Sequence, residues 1–492
     1  LLTALAAAIA PAALVPRSAR ADAIDLWNNT LVGAINSTSA LLYSGPPEVA
    51  REMAMVDTAM FDAVNAASGS LYQGFAYSGT VSGASADAAA LAAGYTVMNS
   101  IFTSPVWNGS VPTSVTTAIT AAYQSGLAGL NQSDPSVASG LALGAAAGQA
   151  MIAKRATDGS AQAITAGLQT YTPPGSGTVP GVYVPPATRP AMFPTWGTVT
   201  PFGLTTGTVR SIEQTVPIPS VNSAAYAQSV FRTECVGNVS ALPGNVAAAC
   251  GEAGLLPTDA QKAAQTQAAY FWNDPGGTNQ PPGHWLLIAE TVAQSQNLDE
   301  LQKARETSLV AVAEADAAIG AWDLKYQTNL WRPNTAINDP TDWSNGIVVY
   351  DPTWTSIIAT PPHPDFVAGH PAFSEAAATV LQSFFGTDEI PFCSTSTPYI
   401  NRPNQTPIPA ITECFDGFQS AATEAGESRV WGGIHTDLAT QGGQTLGLGI
   451  GEALASTLFL PVPEPATMAL ALPMTAGLVG ARRLSRKARG LS

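Results

Sequence analysis

Glu48-Val-Ala-Arg-Glu-Met-Ala-Met-Val-Asp-Thr-Ala-Met-Phe-Asp-Ala-Val-Asn65 decides the fold class. Its apolar residues return every three or four positions, the period of one helix face. Pro46-Pro47 stands just before it, where a first helical turn tolerates proline. Outward from this stretch, residues 24–67 read as helical. Ser85–Phe102 with Ser85 as N-cap, Val115–Leu130 and Pro135–Asp158 follow. Helical pattern resumes at Thr258–Trp272, Trp285–Gln296 and Leu298–Lys325, then at a helix opened by His370-Pro371, at 416–431 and at Thr436–Leu458. With so little strand-like alternation, the expectation is a mainly α protein of helical bundles, two four-helix-bundle-like halves at 22–168 and 258–460.

Between the halves, 169–257 is a Pro/Gly-rich connecting region, densest over Gln169–Pro219. It reads as a connection crossing the surface, with short strands, or as a flexible linker. Its aromatic residues Tyr183, Phe193, Trp196 and Phe202 favour packing.

The chain is poor in charge, 11% of residues, and acidic, with a net charge of −15. A phosphate-backbone partner such as nucleic acid is excluded on that ground. Against this background one stretch stands out. It holds Lys325, Arg332-Pro333, His363-Pro-Asp-Phe-Val-Ala-Gly-His370, Ser428-Arg429 and His435. The chain has four histidines, all within residues 284–435, and three of them are in this stretch. A helix opening at Gly369-His370 directs free N–H groups and the positive end of its dipole at whatever lies before it. Gathered there, Lys325, Arg332 and Arg429 would form a trap for a tetrahedral oxyanion, two of them by paired hydrogen bonds. Three such cations are costly in a bundle interior unless an anion is bound. One imidazole can then bond to the central atom while another moves protons.

Lys-x6-Arg-Pro, then Gly-His, then Ser-Arg-x5-His resembles the signature of the vanadium haloperoxidases and the related type 2 acid phosphatases. Tyr270-Phe-Trp-Asn-Asp-Pro-Gly-Gly-Thr-Asn-Gln-Pro-Pro-Gly-His284-Trp and the 50–63 helix extend the likeness to bacterial haloperoxidase-type proteins. The resemblance implies vanadate as cofactor, with phosphate as competing oxyanion, and His435 as the axial ligand of the metal. Lys325, Arg332, Arg429 and the Gly369 N–H would hold the equatorial oxygens, and His370 would act as acid–base. Trp322 and His363 would line the halide side, and Asp274 would partner Arg429. The position of His363 tends to be Phe in chloroperoxidases and His in bromo- and iodoperoxidases, which leans this chain to bromide or iodide. Hydrogen peroxide, halide and an organic acceptor would be the small-molecule partners.

Two departures stand against the family pattern. Ala368 replaces the usual Ser before Gly-His, and Ala439 replaces the Asp of the phosphatase His-x-x-x-Asp, with Asp437 nearby instead. The alternatives are a phosphomonoesterase working through a phosphohistidine at His435, and a non-catalytic surface protein retaining the fold. His284 reads as a structural loop histidine, and Trp331, Trp343 and Trp354 as core.

Residues 1–21 read as the remaining part of a secretory signal, ending Ala19-Arg20-Ala21. At 462–492, Pro-Glu-Pro465, an apolar segment and an Arg cluster resemble a PEP-CTERM sorting signal, which implies transient contact with the membrane and a sorting protease. An ordinary C-terminal anchor is the alternative. The expected location is outside the cytoplasm of a Gram-negative bacterium: periplasm, cell surface or matrix. Four cysteines in an exported chain imply two disulfides, most simply 235–250 and 393–414 of three connectivities. The large apolar helical surface suits a homodimer.

Overall fold

The computed structural model describes residues 22–463 apart from 42, 43, 168 and 188. The expected leader at 1–21 and nearly all of the tail at 462–492 lie outside the described residues. The chain forms α1 (Ala23–Thr38), α2 (Pro46–Ala67), α3 (Ala86–Phe102), α4 (Thr113–Ala128) and α5 (Pro135–Arg155). Then come α6 (Ser160–Gly167), α7 (Thr206–Glu213), α8 (Ala224–Val236), α9 (Gly244–Glu252), α10 (Asp259–Phe271) and α11 (Gln280–Ser295). Last are α12 (Glu300–Thr328), α13 (Pro333–Ile337), α14 (Gly369–Phe385), the hairpin β1 (Phe392–Thr395) and β2 (Thr412–Phe415), α15 (Phe418–Trp431) and α16 (Asp437–Ala455). The fold is mainly α.

Local chemistry explains the boundaries. Ser85 caps α3 by accepting from the Ala88 amide, and capping boxes open α10 (Thr258, Gln261) and α12 (Asp299, Gln302). α12 carries 21 buried residues among its 29 and packs against both α2 and α14. One continuous apolar core consequently contains residues of both halves, with Trp27, Met53 and Phe61 from the first and Trp285, Leu309 and Phe373 from the second.

The structure corrects several sequence expectations. The connecting region carries the helices α7, α8 and α9 and, among the described residues, no strand. Its aromatics Tyr183, Phe193, Trp196 and Phe202 are buried. α11 begins five residues before the expected Trp285, because Pro281 and Pro282 fall in its first turn, where no N–H is missed. His284 is therefore a buried helical residue and not a loop residue. Both disulfides join as the simplest pairing had it, Cys235–Cys250 and Cys393–Cys414, the second across β1 and β2.

Gly443 and Gly447 on α16 fix where α14 begins. A Cβ at either would stand 2.5 Å from a carbonyl oxygen, that of Ala368 or Ala372. Gly447→Ala is expected to cost about 1–3 kcal/mol in denaturant unfolding through overpacking.

Stability should also depend on pH. Burial raises the carboxyls of Asp57, Glu48 and Glu424 to about 7 and those of Glu213 and Glu234 to about 8. Groups raised in the folded state contribute stability that is complete below the unfolded carboxylate pKa and lost as pH climbs through the folded one. The buried histidines 363, 370 and 435 are lowered and act oppositely, but only as pH falls below 6.5. Thermal unfolding is expected at a lower temperature at pH 8 than at pH 6.5, and an unchanged midpoint would contradict these burials.

Candidate active site

Lys325 sits in the last turn of α12, Arg332 caps α13, His363 and Asp365 lie on the loop entering α14, and Gly369-His370 opens that helix. Arg429 is in the last turn of α15, and His435 precedes α16. These elements gather around a cavity of about 250 Å³. Trp322, His363, Gly369, His370, Arg429 and His435 line it, with Asn273, Asp274 and Met192. Met192 brings the connecting region to the wall, its carbonyl accepting from Trp322 Nε1 at 3.1 Å and from the Tyr326 hydroxyl at 2.5 Å.

Lys325 and Arg332 stand behind this wall. Lys325 Nζ donates to the carbonyls of Pro364 (2.9 Å) and Asp365 (3.2 Å). Arg332 Nε donates to the His363 carbonyl at 2.6 Å, Nη1 to the Ile434 carbonyl at 2.7 Å and to His435 Nε2 at 3.0 Å, and Nη2 to His363 Nδ1 at 2.9 Å. Arg429 Nη1 donates to His370 Nε2 at 3.0 Å, and its other nitrogens to Ser428 Oγ and the Ala269 carbonyl.

These donors fix the imidazoles, because arginine has hydrogens to give and no lone pair. His435 Nε2 and His370 Nε2 must each present a lone pair. His435 Nδ1–H then donates to Asp365 Oδ1 at 2.6 Å, and Thr436 Oγ1 donates to Asp365 Oδ2 at 2.9 Å. The His370 ring lies beside the backbone of Asn273 and Trp272, which favours its protonated form against burial.

The charges are under-compensated. Burial, then the neighbouring Arg332, holds the Lys325 ammonium well below its usual range, with Asp365 opposing. Burial brings Arg332 and Arg429 down to about 10, opposed chiefly by Asp365 and Asp274 respectively. Burial and the nearby cations hold His363, His370 and His435 well below 6.5. Asp365 is pushed up to about 6 by burial against the pull of Arg332, Thr436 and Lys325. Three buried cations share two nearby carboxylates, and an anion would repay part of their desolvation.

Asp274 differs from expectation. Its carboxylate meets His284 Nδ1 at 3.0 Å, and among the described residues it forms no ion pair with Arg429, which it reaches through its field. Trp322 and His363 do pack together on the cavity wall, with ring centroids 5.1 Å apart. Ala368, the N-cap of α14, supplies no side-chain oxygen to the helix N–H groups. Ala439 is buried, and Asp437 pairs instead with Arg232. The carboxylate that holds His435 is Asp365, which the sequence reading missed. Its signal was an acid inside the apolar stretch just before Gly369-His370.

Residues 306–460 match the protein-family model of the VCPO second helical-bundle domain. A vanadium chloroperoxidase of Curvularia inaequalis is 26% identical over 161 residues, with 28% of this chain and 26% of that protein covered. The chain thus spans about a quarter of the length of the curated relative it matches. A bacterial vanadium-dependent iodoperoxidase of known structure superposes with a TM-score of 0.67 at 22% identity, over 90% of this chain and 98% of that one. A holo-type bacterial vanadium-dependent chloroperoxidase gives a TM-score of 0.60 at 16% identity, over 87% and 95%. At these identities the structural likeness is one of fold. Residues 306–460 thus match the second helical bundle of vanadium chloroperoxidases, within a fold that this chain shares with bacterial vanadium haloperoxidases.

Proposed function

We propose that the protein is an exported, vanadate-dependent haloperoxidase. It would oxidise bromide or iodide, in preference to chloride, with hydrogen peroxide to hypohalous acid. The observation that carries this reading is the Nε2 lone pair of His435, aimed by Asp365 and surrounded by buried cations. The donor set fits a tetrahedral metal oxyanion, since a neutral imidazole nitrogen suits the central atom and the cations suit its oxygens. His435 Nε2 would hold the metal, and Lys325, Arg332, Arg429 and the Gly369 N–H its oxygens. Bound vanadate would supply Lewis-acid activation of peroxide without changing oxidation state.

This chain's residues would do the rest. Arg332 Nη1 now occupies the lone pair of His435 and must release it when the anion enters. His370 Nε2 would take the proton of the incoming peroxide and return it to the departing oxygen. Lys325 Nζ would draw electron density from the anion's oxygens. Trp322 and His363 would receive the halide on a face that Met192 and Phe373 also line. The two disulfides support export to an oxidising compartment. There the partners would be small molecules, with membrane and sorting-protease contact confined to the tail.

Dye bromination with peroxide, with and without orthovanadate, tests this reading. Vanadate-dependent bromination is expected. No bromination at any pH, with aryl phosphate hydrolysis abolished by His435→Ala, would replace it by the phosphatase reading; binding of neither oxyanion would leave a non-catalytic protein.

His363→Phe removes the 2.9 Å acceptor of Arg332 Nη2 and makes this wall apolar. A hydrogen bond to a charged group is worth about 1.5–3 kcal/mol, so relative rates with iodide, bromide and chloride should change by roughly tenfold or more. Unchanged ratios would remove His363 from halide choice.

A further inference from the structure

One buried polar cluster touches the cavity wall without entering the chemistry above. The His284 ring is completely enclosed, with Nδ1 3.0 Å from Asp274 Oδ2 and Nε2 3.0 Å from Ser394 Oγ. Phe271 and Trp272 pack against it at centroid distances of 5.0 and 4.8 Å. Ser394 belongs to β1, beside Cys393, whose disulfide to Cys414 ties β1 to β2. The far side of the imidazole is thus anchored on a cross-linked hairpin. Asp–His–Ser in this order has the connectivity of a hydrolytic triad, but Ser394 is buried and lines none of the described cavities. A nucleophile needs access to substrate, so the cluster is not a second catalytic site.

Its near side leads to the active site. Asp274 holds a left-handed backbone, φ +41°, a region sparsely populated by residues other than glycine. The backbone of the two residues before it, Trp272 and Asn273, lies beside His370 and favours its protonated form. Asn273 and Asp274 both line the cavity. Asp274 also places the carboxylate whose field supports Arg429, the residue that donates to His370.

We infer that His284 is a positioning residue for the His370–Arg429 pair: by gripping Asp274 it fixes the 272–274 backbone that orients the His370 ring. This rests on the haloperoxidase reading for its effect on rate, but its effect on His370 can be read without turnover. The imidazole keeps the tight turn in register, and the turn's backbone keeps the His370 hydrogen on the nitrogen away from Arg429. An outer partner of this kind typically contributes about 10–100-fold in activity.

The test uses the full chain and two near-isosteric variants. His284→Asn keeps a donor close to the Nδ1 position and so keeps the bond to Asp274. His284→Gln keeps reach to Ser394 and loses the bond to Asp274. With only four histidines, ¹⁵N-histidine NMR resolves the His370 tautomer directly. The expected result is one tautomer in wild type and His284→Asn, and mixed tautomers in His284→Gln. With orthovanadate loaded, kcat for bromide oxidation should fall about 10–100-fold in His284→Gln with a displaced pH profile, and largely recover in His284→Asn. Orthovanadate affinity, set by His435, should change little in either.

A His284→Gln protein with the wild-type His370 tautomer overturns the proposal, as do Asn and Gln variants that fall together in step with their unfolding temperatures. A wild type that oxidises no halide would sink the haloperoxidase reading alone, because the NMR comparison still decides the role of His284.

Discussion

His435→Asn is expected to lose orthovanadate binding by more than about 100-fold, beyond what loss of an outer partner costs a metal site. It should lose vanadate-dependent halide oxidation with it. Asparagine is chosen because its amide nitrogen lies near the position of Nδ1, so it can still donate to Asp365 Oδ1. What disappears is Nε2, the nitrogen whose lone pair would bond the central atom of the anion. Arg332 Nη1 loses that acceptor but retains the Ile434 carbonyl at 2.7 Å. The stability cost should accordingly stay near that of one hydrogen bond, about 1 kcal/mol. Calorimetric titration with orthovanadate and a melting curve on the same sample separate the two effects. Retained affinity in a folded variant would mean that no imidazole bonds to the anion here.

Asp365→Ala should damage both fold and site. Asp365 is the nearest counter-charge to Lys325 and Arg332, and it accepts from both His435 Nδ1 and Thr436 Oγ1. Removing one member of a buried charge network strands the others and costs about 3–5 kcal/mol. With the carboxylate gone, His435 is free to carry its hydrogen on Nε2, and orthovanadate affinity should drop about 10–100-fold. Asp365→Asn separates charge from hydrogen bonding. Its amide oxygen can still accept from His435, so it should lie between alanine and wild type in both measurements. If Asp365→Asn matches wild type in stability and affinity, the carboxylate charge has no part in balancing the cations.

The helices were legible because period and cap act locally: the Glu48–Asn65 face, the Ser85 cap and the Pro371 first turn each act through residues within a few positions. The start of α11 was not, because Gln280-Pro-Pro-Gly reads as loop chemistry until the rest of the helix supports it. The hairpin at 392–415 escaped because four-residue strands show too little alternation, although its cysteines were pairable. Within the site, the cations and imidazoles stood out because both are scarce in this chain. Asp365 did not, being one of 35 acidic residues, and only the fold brings it beneath His435. That Asp274 pairs with His284, ten residues on, is likewise a matter of the fold that no spacing in the sequence reveals.

One small oxyanion is expected between His435 and His370, with an imidazole nitrogen bonded to its central atom. A crystal of the protein soaked in orthovanadate tests this most directly. The expected result is a vanadium atom bonded to His435 Nε2, with Arg332 Nη1 drawn off that nitrogen onto an anion oxygen. Vanadate bound elsewhere, or Arg332 still hydrogen-bonded to His435 Nε2 in a saturated crystal, would contradict it.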